Sequence, residues 1–301
     1  MINNTLELES KNRCSDLSRR RIAILITCHN RRRKTIRCLD AVSSSNLECN
    51  SQVDVFLVDD GSEDGTATVV RRKYPAVHII QGSGSLYWNG GMRLAWEEAS
   101  KRDFDYYLWL NDDTYLFADS LSKMIKTFAK IPSGESTRAI IVGSTIDPKS
   151  GLPTYGGQVK VSRWNGFNFR LASPENQPLP CDTLNGNCVL IPREVFKIVG
   201  NLDAKFIHTM GDIDYGLRAR KNGCSIWITS GFIGECIQNS LAGTYCDGTL
   251  SPITRVKRML QPKGLPVRQW KLMTKRHLGP FWFLFWLYPY VRALFPIRLK
   301  K

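Results

Sequence analysis

The 301-residue chain has nine cysteines but no C-x-x-C pair, which excludes a zinc ribbon and a thioredoxin-type redox motif. An odd count also fails to close a disulfide framework. There is no G-x-x-x-x-G-K-[ST] run, so phosphoryl transfer on a P-loop is excluded. Gly82-Ser83-Gly84-Ser85-Leu86-Tyr87 begins like a dinucleotide fingerprint but has Tyr where the third glycine belongs. Internal repeats and low-complexity tracts are missing, as is any apolar run of the roughly twenty residues that span a bilayer. The first 21 residues are polar and lack the apolar centre of a secretory signal, so a reduced, cytoplasmic setting is expected. Acidic residues are absent from one long stretch. Residues 251–301 hold twelve Lys/Arg and no Asp or Glu, leaving only three of the +15 net charge to the rest. A nucleic-acid-binding protein carries its charge on the folded module itself, so no nucleic-acid partner is expected.

What the chain does have is an ordinary globular composition, 43% hydrophobic. Ile22-Ala23-Ile24-Leu25-Ile26-Thr27-Cys28 is a continuous apolar run, the pattern of a strand buried on both faces. Helical spacing follows over residues 35–41, a second strand over 53–58, a helix over 66–74 stopped by Pro75, and a third strand over 77–81. The glycine-rich loop 82–91 leads into a helix ending near Arg102, and a fourth strand covers 106–110. Strands alternating with helices predict an α/β fold with a mostly parallel central sheet and helices on both faces. Farther on, the pattern predicts a helix over 121–130, a strand over 139–146 and a hairpin or extended loops over 154–171. A short strand over 188–191 should run into a helix with Pro192 as its first residue, and another helix should cover 212–221.

Ligands of open parallel sheets sit outside the carboxyl ends of the strands. There the chain places Thr27-Cys28-His29-Asn30-Arg31, Asp59-Asp60-Gly61-Ser62, the loop Ser83 to Gly91, and Asn111-Asp112-Asp113. Any one of these could be an ordinary polar turn. Four on one edge, two of them carrying carboxylates, ask instead for a diphosphate ligand bridged by Mg²⁺ or Mn²⁺.

With Tyr87-Trp88-Asn89-Gly90-Gly91-Met92 and Gly211-Asp212-Ile213-Asp214-Tyr215-Gly216-Leu217-Arg218, these segments resemble the family-2 inverting glycosyltransferases of the GT-A type, in particular their rhamnosyltransferase-like bacterial branch. They fall in the family's order over roughly residues 21–240. The resemblance implies a GT-A nucleotide-diphospho-sugar transferase fold and a UDP- or dTDP-linked donor. It implies that Thr27, Asn30 and Arg31 lie along the nucleoside and phosphates, with Asp59 on the base and Asp60 beside it. Trp88, Asn89 and Gly91 would sit near the sugar or diphosphate, although Trp88 equally suits a packing role. Asn111-Asp112-Asp113 stands where the family has D-x-D, which makes Asp113 the metal ligand; Asn111 in place of the first Asp implies a sugar or ribose contact. Asp112 and Asp113 could alternatively cap the segment that follows.

The family's base position falls on Asp212, with Gly211 in place of the usual Glu. Asp214 is the rival. Residues i and i+2 of a helix point about 200° apart, so only one can face the substrate. Asp214 could instead pair with Arg218 one turn on. Gly186-Asn187 matches the acceptor side of the donor sugar, and His208 could orient the acceptor or bond the base.

The tail combines its positive charge with seven aromatics in the ten residues 281–290. Its apolar run, residues 278–291, is fourteen long and broken by Pro280 and Pro289. That composition predicts a monotopic contact with an anionic membrane surface; packing back on the catalytic domain, or a homodimer interface, is the alternative. The organisation expected is an arm at 1–20, a catalytic domain at 21–250 divided near residue 115 into nucleotide- and acceptor-binding parts, and a membrane-associating segment at 251–301. The function expected is transfer of a hexosyl or rhamnosyl unit to a hydroxyl of a lipid-linked glycan in O-antigen, lipopolysaccharide or other cell-surface polysaccharide assembly, at the inner face of the plasma membrane. A nucleotidyltransferase would need a lysine-rich nucleotide loop that the chain lacks. A non-catalytic sugar-nucleotide-binding or scaffold protein of the same fold is the alternative from another class. The tail also implies that a chain cut near Gly248 keeps its donor chemistry.

Overall fold

The computed structural model describes residues 20–46, 51–162 and 166–295. The expected N-terminal arm falls outside these residues apart from Arg20. The first half reads β1 (Arg20–Cys28), α1 (Arg32–Ser43), β2 (Ser51–Asp59), α2 (Thr66–Lys73), β3 (His78–Gln81), α3 (Tyr87–Ser100), β4 (Tyr106–Leu110) and β5 (Tyr115–Leu116). It continues through α4 (Ser120–Thr127), a 3₁₀ turn at Phe128–Lys130, the one-turn α5 (Ser133–Ser136) and β6 (Ala139–Ile146). Then come β7 (Gly157–Lys160), β8 (Phe169–Leu171), β9 (Leu179–Pro180), β10 (Thr183–Leu184) and β11 (Cys188–Pro192). The chain ends with α6 (Arg193–Val199), α7 (Gly211–Lys221), β12 (Ser225–Glu235), α8 (Pro252–Met259), α9 (Val267–His277) and α10 (Trp282–Ala293).

Among the described residues nine strands form one sheet in the order β3-β2-β1-β4-β11-β6-β12-β5, with β9 on the flank of β12. The β3-β2-β1-β4 half is parallel throughout, and β11 enters antiparallel between β4 and β6. The remaining strands β10, β7 and β8 make a small antiparallel sheet, in which the β7–β8 pair is the hairpin expected over 154–171. Strand β1 shows why its apolar run is unbroken. Ile22, Ile24 and Ile26 join the core under α1, α2 and α4, while Ala23 and Leu25 join the one under α3, α6 and α7. Both faces are covered, so both parities must be apolar. From β1 the chain proceeds outward to β2, whereas β4 lies on the other side. The sheet order therefore reverses between β1 and β4, where a crevice opens at their carboxyl ends.

Pro192 differs from expectation. Its ψ of 149° is extended, so it ends β11 and precedes α6 rather than opening it. The helix expected over 121–130 starts at Ser120 and tightens into the 3₁₀ turn after Thr127.

The last fifth is built onto the body. Helix α8 starts with Ser251 accepting from the Thr254 N–H at 3.3 Å and with Pro252 in its first turn, a cap worth about 1 kcal/mol. On α9, Met273 packs in a cluster with Phe206 and Met210, which flank the start of α7. Helix α10 lies on α8 and α9, tied by Tyr290 Oη donating to the Leu265 carbonyl at 2.7 Å. Its outer face is apolar: Leu284, Leu287, Tyr288 and Val291, at i, i+3, i+4 and i+7, are all exposed. No helix among the described residues is long and apolar enough to cross a membrane.

Candidate active site

A cavity of about 580 Å³ opens at the switch point. One side is lined by Thr27, His29, Arg31, Asp60, Asn111, Asp112 and Asp113, from the ends of β1, β2 and β4. The other is lined by Trp88, Gly186, Asn187, His208 and Asp212, from α3, the approach to β11 and the start of α7. Six chain segments far apart in sequence thus converge on one opening.

On the first side the charges are arranged around Arg31. Its guanidinium donates to Asp112 Oδ1 at 2.8 Å and to Asp113 Oδ2, and Lys34 approaches the same Asp113 oxygen at 3.4 Å. Asp112 is buried, which pushes its carboxyl up; Arg31 pulls it back only partway, leaving it at about 7. Among the described residues no three His, Cys, Asp or Glu side chains form a metal cage. Any dication here would take one or two carboxylates and complete its shell with ligand oxygens, the ordinary regime for Mg²⁺. Asn111 Oδ1 accepts from Trp88 Nε1 at 2.7 Å, which leaves the Asn111 amide N–H₂ without a partner among the described residues.

On the second side, Asp212 is half-buried with both oxygens fixed. The Gly186 N–H donates to Oδ2 at 2.9 Å and the Ile213 N–H to Oδ1 at 2.8 Å. Burial raises its carboxyl above the usual range, and those N–H bonds offset only part of the rise. Gly186 is required there, because a Cβ would run into the Trp88 ring. His208 lies edge-on to Tyr87, 6.0 Å between ring centroids, and among the described residues makes no hydrogen bond to Asp212. Burial, with Lys263 nearby, depresses it to about 4, so its imidazole is neutral at pH 7.

Several expected site residues turn out to hold the walls rather than face the cavity. Asn89 is fully buried and donates to the Asp203 and Phe206 carbonyls at 3.0 and 2.8 Å. It also fills the space beside Gly211, where any side chain would collide with its amide. Gly91 is needed because a Cβ would strike Thr27. Asp60 touches the cavity, yet its carboxylate is spent on the Gly84, Leu86 and Tyr87 N–H groups at 2.7–3.0 Å, shaping the glycine-rich loop. Asp59 is fully buried, with Oδ1 accepting from the Ser62 N–H and Oδ2 lacking a partner. Asn30 ties the β1 end to the β2 loop, donating to Ser62 Oγ and accepting from the Glu63 N–H. Asp214 points away from the cavity. It is fully buried between Arg218, Arg276 and His277, at 2.8, 2.7 and 2.9 Å. Burial would push its carboxyl up, but these three partners more than reverse that and hold it below the usual range.

Sequence reasoning put His29 and Tyr87 on the ligand edge without giving either a role, and it missed Tyr155, Asn185, Thr209, Asn239 and Lys263, all lining residues. Hydrophobic period carries no trace of them. Backbone strain marks one of them, Tyr87: the non-glycine residues with left-handed φ among those described are Asn30, Tyr87 and Met210, all at or beside this opening. Such strain concentrates at functional sites.

A family model for glycosyl transferase family 2 matches residues 23–199. The N-acetylglucosaminyl-diphospho-decaprenol L-rhamnosyltransferase of Mycobacterium tuberculosis is 24% identical over 210 residues, covering 63% of this chain and 68% of that protein. Among solved structures, the mannosyltransferase PcManGT from Pyrobaculum calidifontis in complex with GDP-Man and Mn²⁺ superposes with a TM-score of 0.55 at 15% identity, covering 92% of this chain and 69% of that one. S. aureus TarS 1-349 superposes at 0.52 and 11% identity, over 91% and 73%. The architecture is thus the GT-A one, and the family match takes in most of the sheet, both cavity walls up to Asn187 and the strand ends that bear the carboxylates. The chain belongs to glycosyl transferase family 2.

Proposed function

We propose that this glycosyltransferase inverts the donor sugar, with Asp212 as the general base and the ends of β1, β2 and β4 as the nucleotide-diphosphate seat. One observation carries the reading. Asp212 is a carboxylate held in place by two backbone N–H groups, with raised proton affinity, across a single cavity from the Asp112–Asp113 pair. A base tuned upward from the ordinary carboxylate range suits proton abstraction near neutral pH. The acceptor hydroxyl gives its proton to Asp212 while its oxygen bonds the anomeric carbon. The bond from that carbon to the diphosphate oxygen breaks, and the nucleoside diphosphate leaves. Arg31, Thr27 and Asn111 face the donor, while Asp59, Asn30 and Asp60 hold the loops that frame it.

The donor set fits a bridging Mg²⁺ or Mn²⁺: Asp113 would hold it, with Asp112 behind. When bound, the ion supplies charge neutralisation for the departing diphosphate. The donor is a UDP- or dTDP-linked hexose or rhamnose and the acceptor a lipid-linked glycan. The matched mycobacterial enzyme, whose name specifies rhamnosyl transfer to a diphospho-decaprenol sugar, supports this reading. So does the outer face of α10, an exposed apolar stripe on a segment with no acidic residue, which suits the headgroup zone of an anionic membrane.

The test is a panel of nucleotide sugars offered to the purified protein with a lipid-linked acceptor, scored by nucleoside diphosphate release. Release that depends on the acceptor and collapses in Asp212→Asn supports the assignment. Transfer that survives in Asp212→Asn removes Asp212 as base, and no turnover with any donor favours the sugar-nucleotide-binding scaffold.

A further inference from the structure

The cavity carries a cation that the donor chemistry leaves unused. Lys263, on the turn between α8 and α9, lines the same opening as Asp212 and His208. Arg31, the other strongly basic side chain lining this cavity, is committed to Asp112 and Asp113. Lys263 is exposed and has no ion-pair partner among the described residues, so its ammonium is free to meet a ligand. Its place is not that of a loose surface lysine, because the turn is fastened on both flanks. On the cavity side Thr209 Oγ1 donates to the Gly264 carbonyl at 3.0 Å. On the other side Tyr290 of α10 donates to the Leu265 carbonyl at 2.7 Å, and Leu265 packs with Phe206 and Met210. Gly264 is needed for that closure, since a Cβ would strike the Met259 and Arg258 carbonyls.

The turn is therefore fixed both to the segment that leads into Asp212 and to the helix with the exposed apolar stripe. A free ammonium near His208, in the cavity that also holds Asp212, wants an anion that arrives with the acceptor. We infer that Lys263 is the acceptor-phosphate subsite: it holds the phosphate or diphosphate that links the acceptor sugar to its lipid, as that lipid enters from the α10 side. This rests on the reading of a lipid-linked acceptor above and adds to it that the reacting sugar lies close to the lipid's phosphate.

The test uses binding, so that it does not depend on sugar transfer. Farnesyl diphosphate, with farnesol as the uncharged control, is titrated into the full chain by calorimetry. A charge-assisted contact of this kind predicts about tenfold weaker binding of farnesyl diphosphate by Lys263→Ala, and still weaker binding by Lys263→Glu. Lys263→Arg should stay within about threefold, since it keeps the charge. Unchanged binding in Lys263→Ala, farnesol binding as tightly as its diphosphate, or no binding by the wild type overturns the subsite. Failure of every nucleotide sugar to turn over, with this lysine-dependent binding intact, would sink the transfer reading and leave the subsite standing.

Discussion

Asp212 and Asp214 sit two positions apart on α7 and experience opposite environments. Asp212 meets the cavity with only backbone partners, whereas Asp214 is enclosed by two arginines and a histidine. The base role proposed for Asp212 requires it to be ionised. Because burial raises its carboxyl, the acid limb of kcat should lie above the ordinary carboxylate range near pH 4. Asp212→Asn should cost about two to four orders of magnitude in kcat with donor KM little changed, and the residual rate should lose that limb. Steady-state kinetics across pH decide this, and a retained limb would assign it to another group. On the opposite wall, Asp113→Ala should abolish transfer without altering the melting temperature, and excess chelator should do the same to the wild type. Full activity in chelator would remove the metal from the mechanism. Gly186→Ala forces a methyl into the Trp88 ring and disturbs the N–H that orients Asp212. It should cost about 1–3 kcal/mol in denaturant unfolding together with a fall in kcat.

Helix α9 acts on α7 as a clamp. Arg276 reaches both Asp203 and Asp214, His277 reaches Asp214, and Met273 seals the apolar cluster below. Removing one partner of a fully buried carboxylate is worth about 3–5 kcal/mol, so Arg276→Met should destabilise the chain by roughly that amount in urea. Asp214 is held below its unfolded value. The stability it contributes is present above about pH 4 and lost as pH falls through its folded value, and Asp214→Asn should flatten that part of the acid-unfolding curve. The same contacts argue against the expectation that a chain cut near Gly248 keeps its donor chemistry. The cut strips Asp214 and Asp203 of Arg276 and uncovers Phe206 and Met210, so the fragment should be recovered unfolded or aggregated, as circular dichroism would show. Both halves of that lesson concern range. The strands, their alternation with helices and the polar strand ends are local, and Ile22 to Cys28 or Asn111-Asp112-Asp113 could be read directly from the sequence. The i+4 pairing of Asp214 with Arg218 was legible for the same reason. Its pairing with Arg276, 62 positions away, was not, nor was the wall-holding role of Asn89, which bonds carbonyls more than a hundred residues distant. Lys263 reads in the sequence as one more charge in a basic tail; the Thr209–Gly264 and Tyr290–Leu265 bonds, both long-range, hold its turn at the cavity.

At the scale of the whole molecule, the Asp212 side of the cavity and the apolar stripe of α10 are joined through a single turn at Gly264–Leu265. A twelve-residue helix is only about 18 Å long and is interrupted by Pro289, so α10 can lie in an interface but cannot cross one. Two forces should then hold the chain on anionic vesicles. High salt screens the Lys/Arg attraction and leaves apolar insertion in place, so salt should release part of the bound protein and detergent the rest. Leu287→Glu together with Tyr288→Glu should abolish the salt-resistant fraction in a vesicle flotation assay. A chain that ignores anionic vesicles altogether would make α10 an interface between copies. The lack of any Asp or Glu after residue 250 has a consequence of another kind. The only group in that stretch with an ordinary pKa between 4 and 8 is His277, which is enclosed against Asp214 and depressed by burial. Nothing on the tail's exterior can gain or lose a proton as a cell acidifies. Its charge is fixed chemically, so adhesion to a given lipid mixture should be the same at pH 5.5 and pH 8, and only the lipids or the salt can tune it.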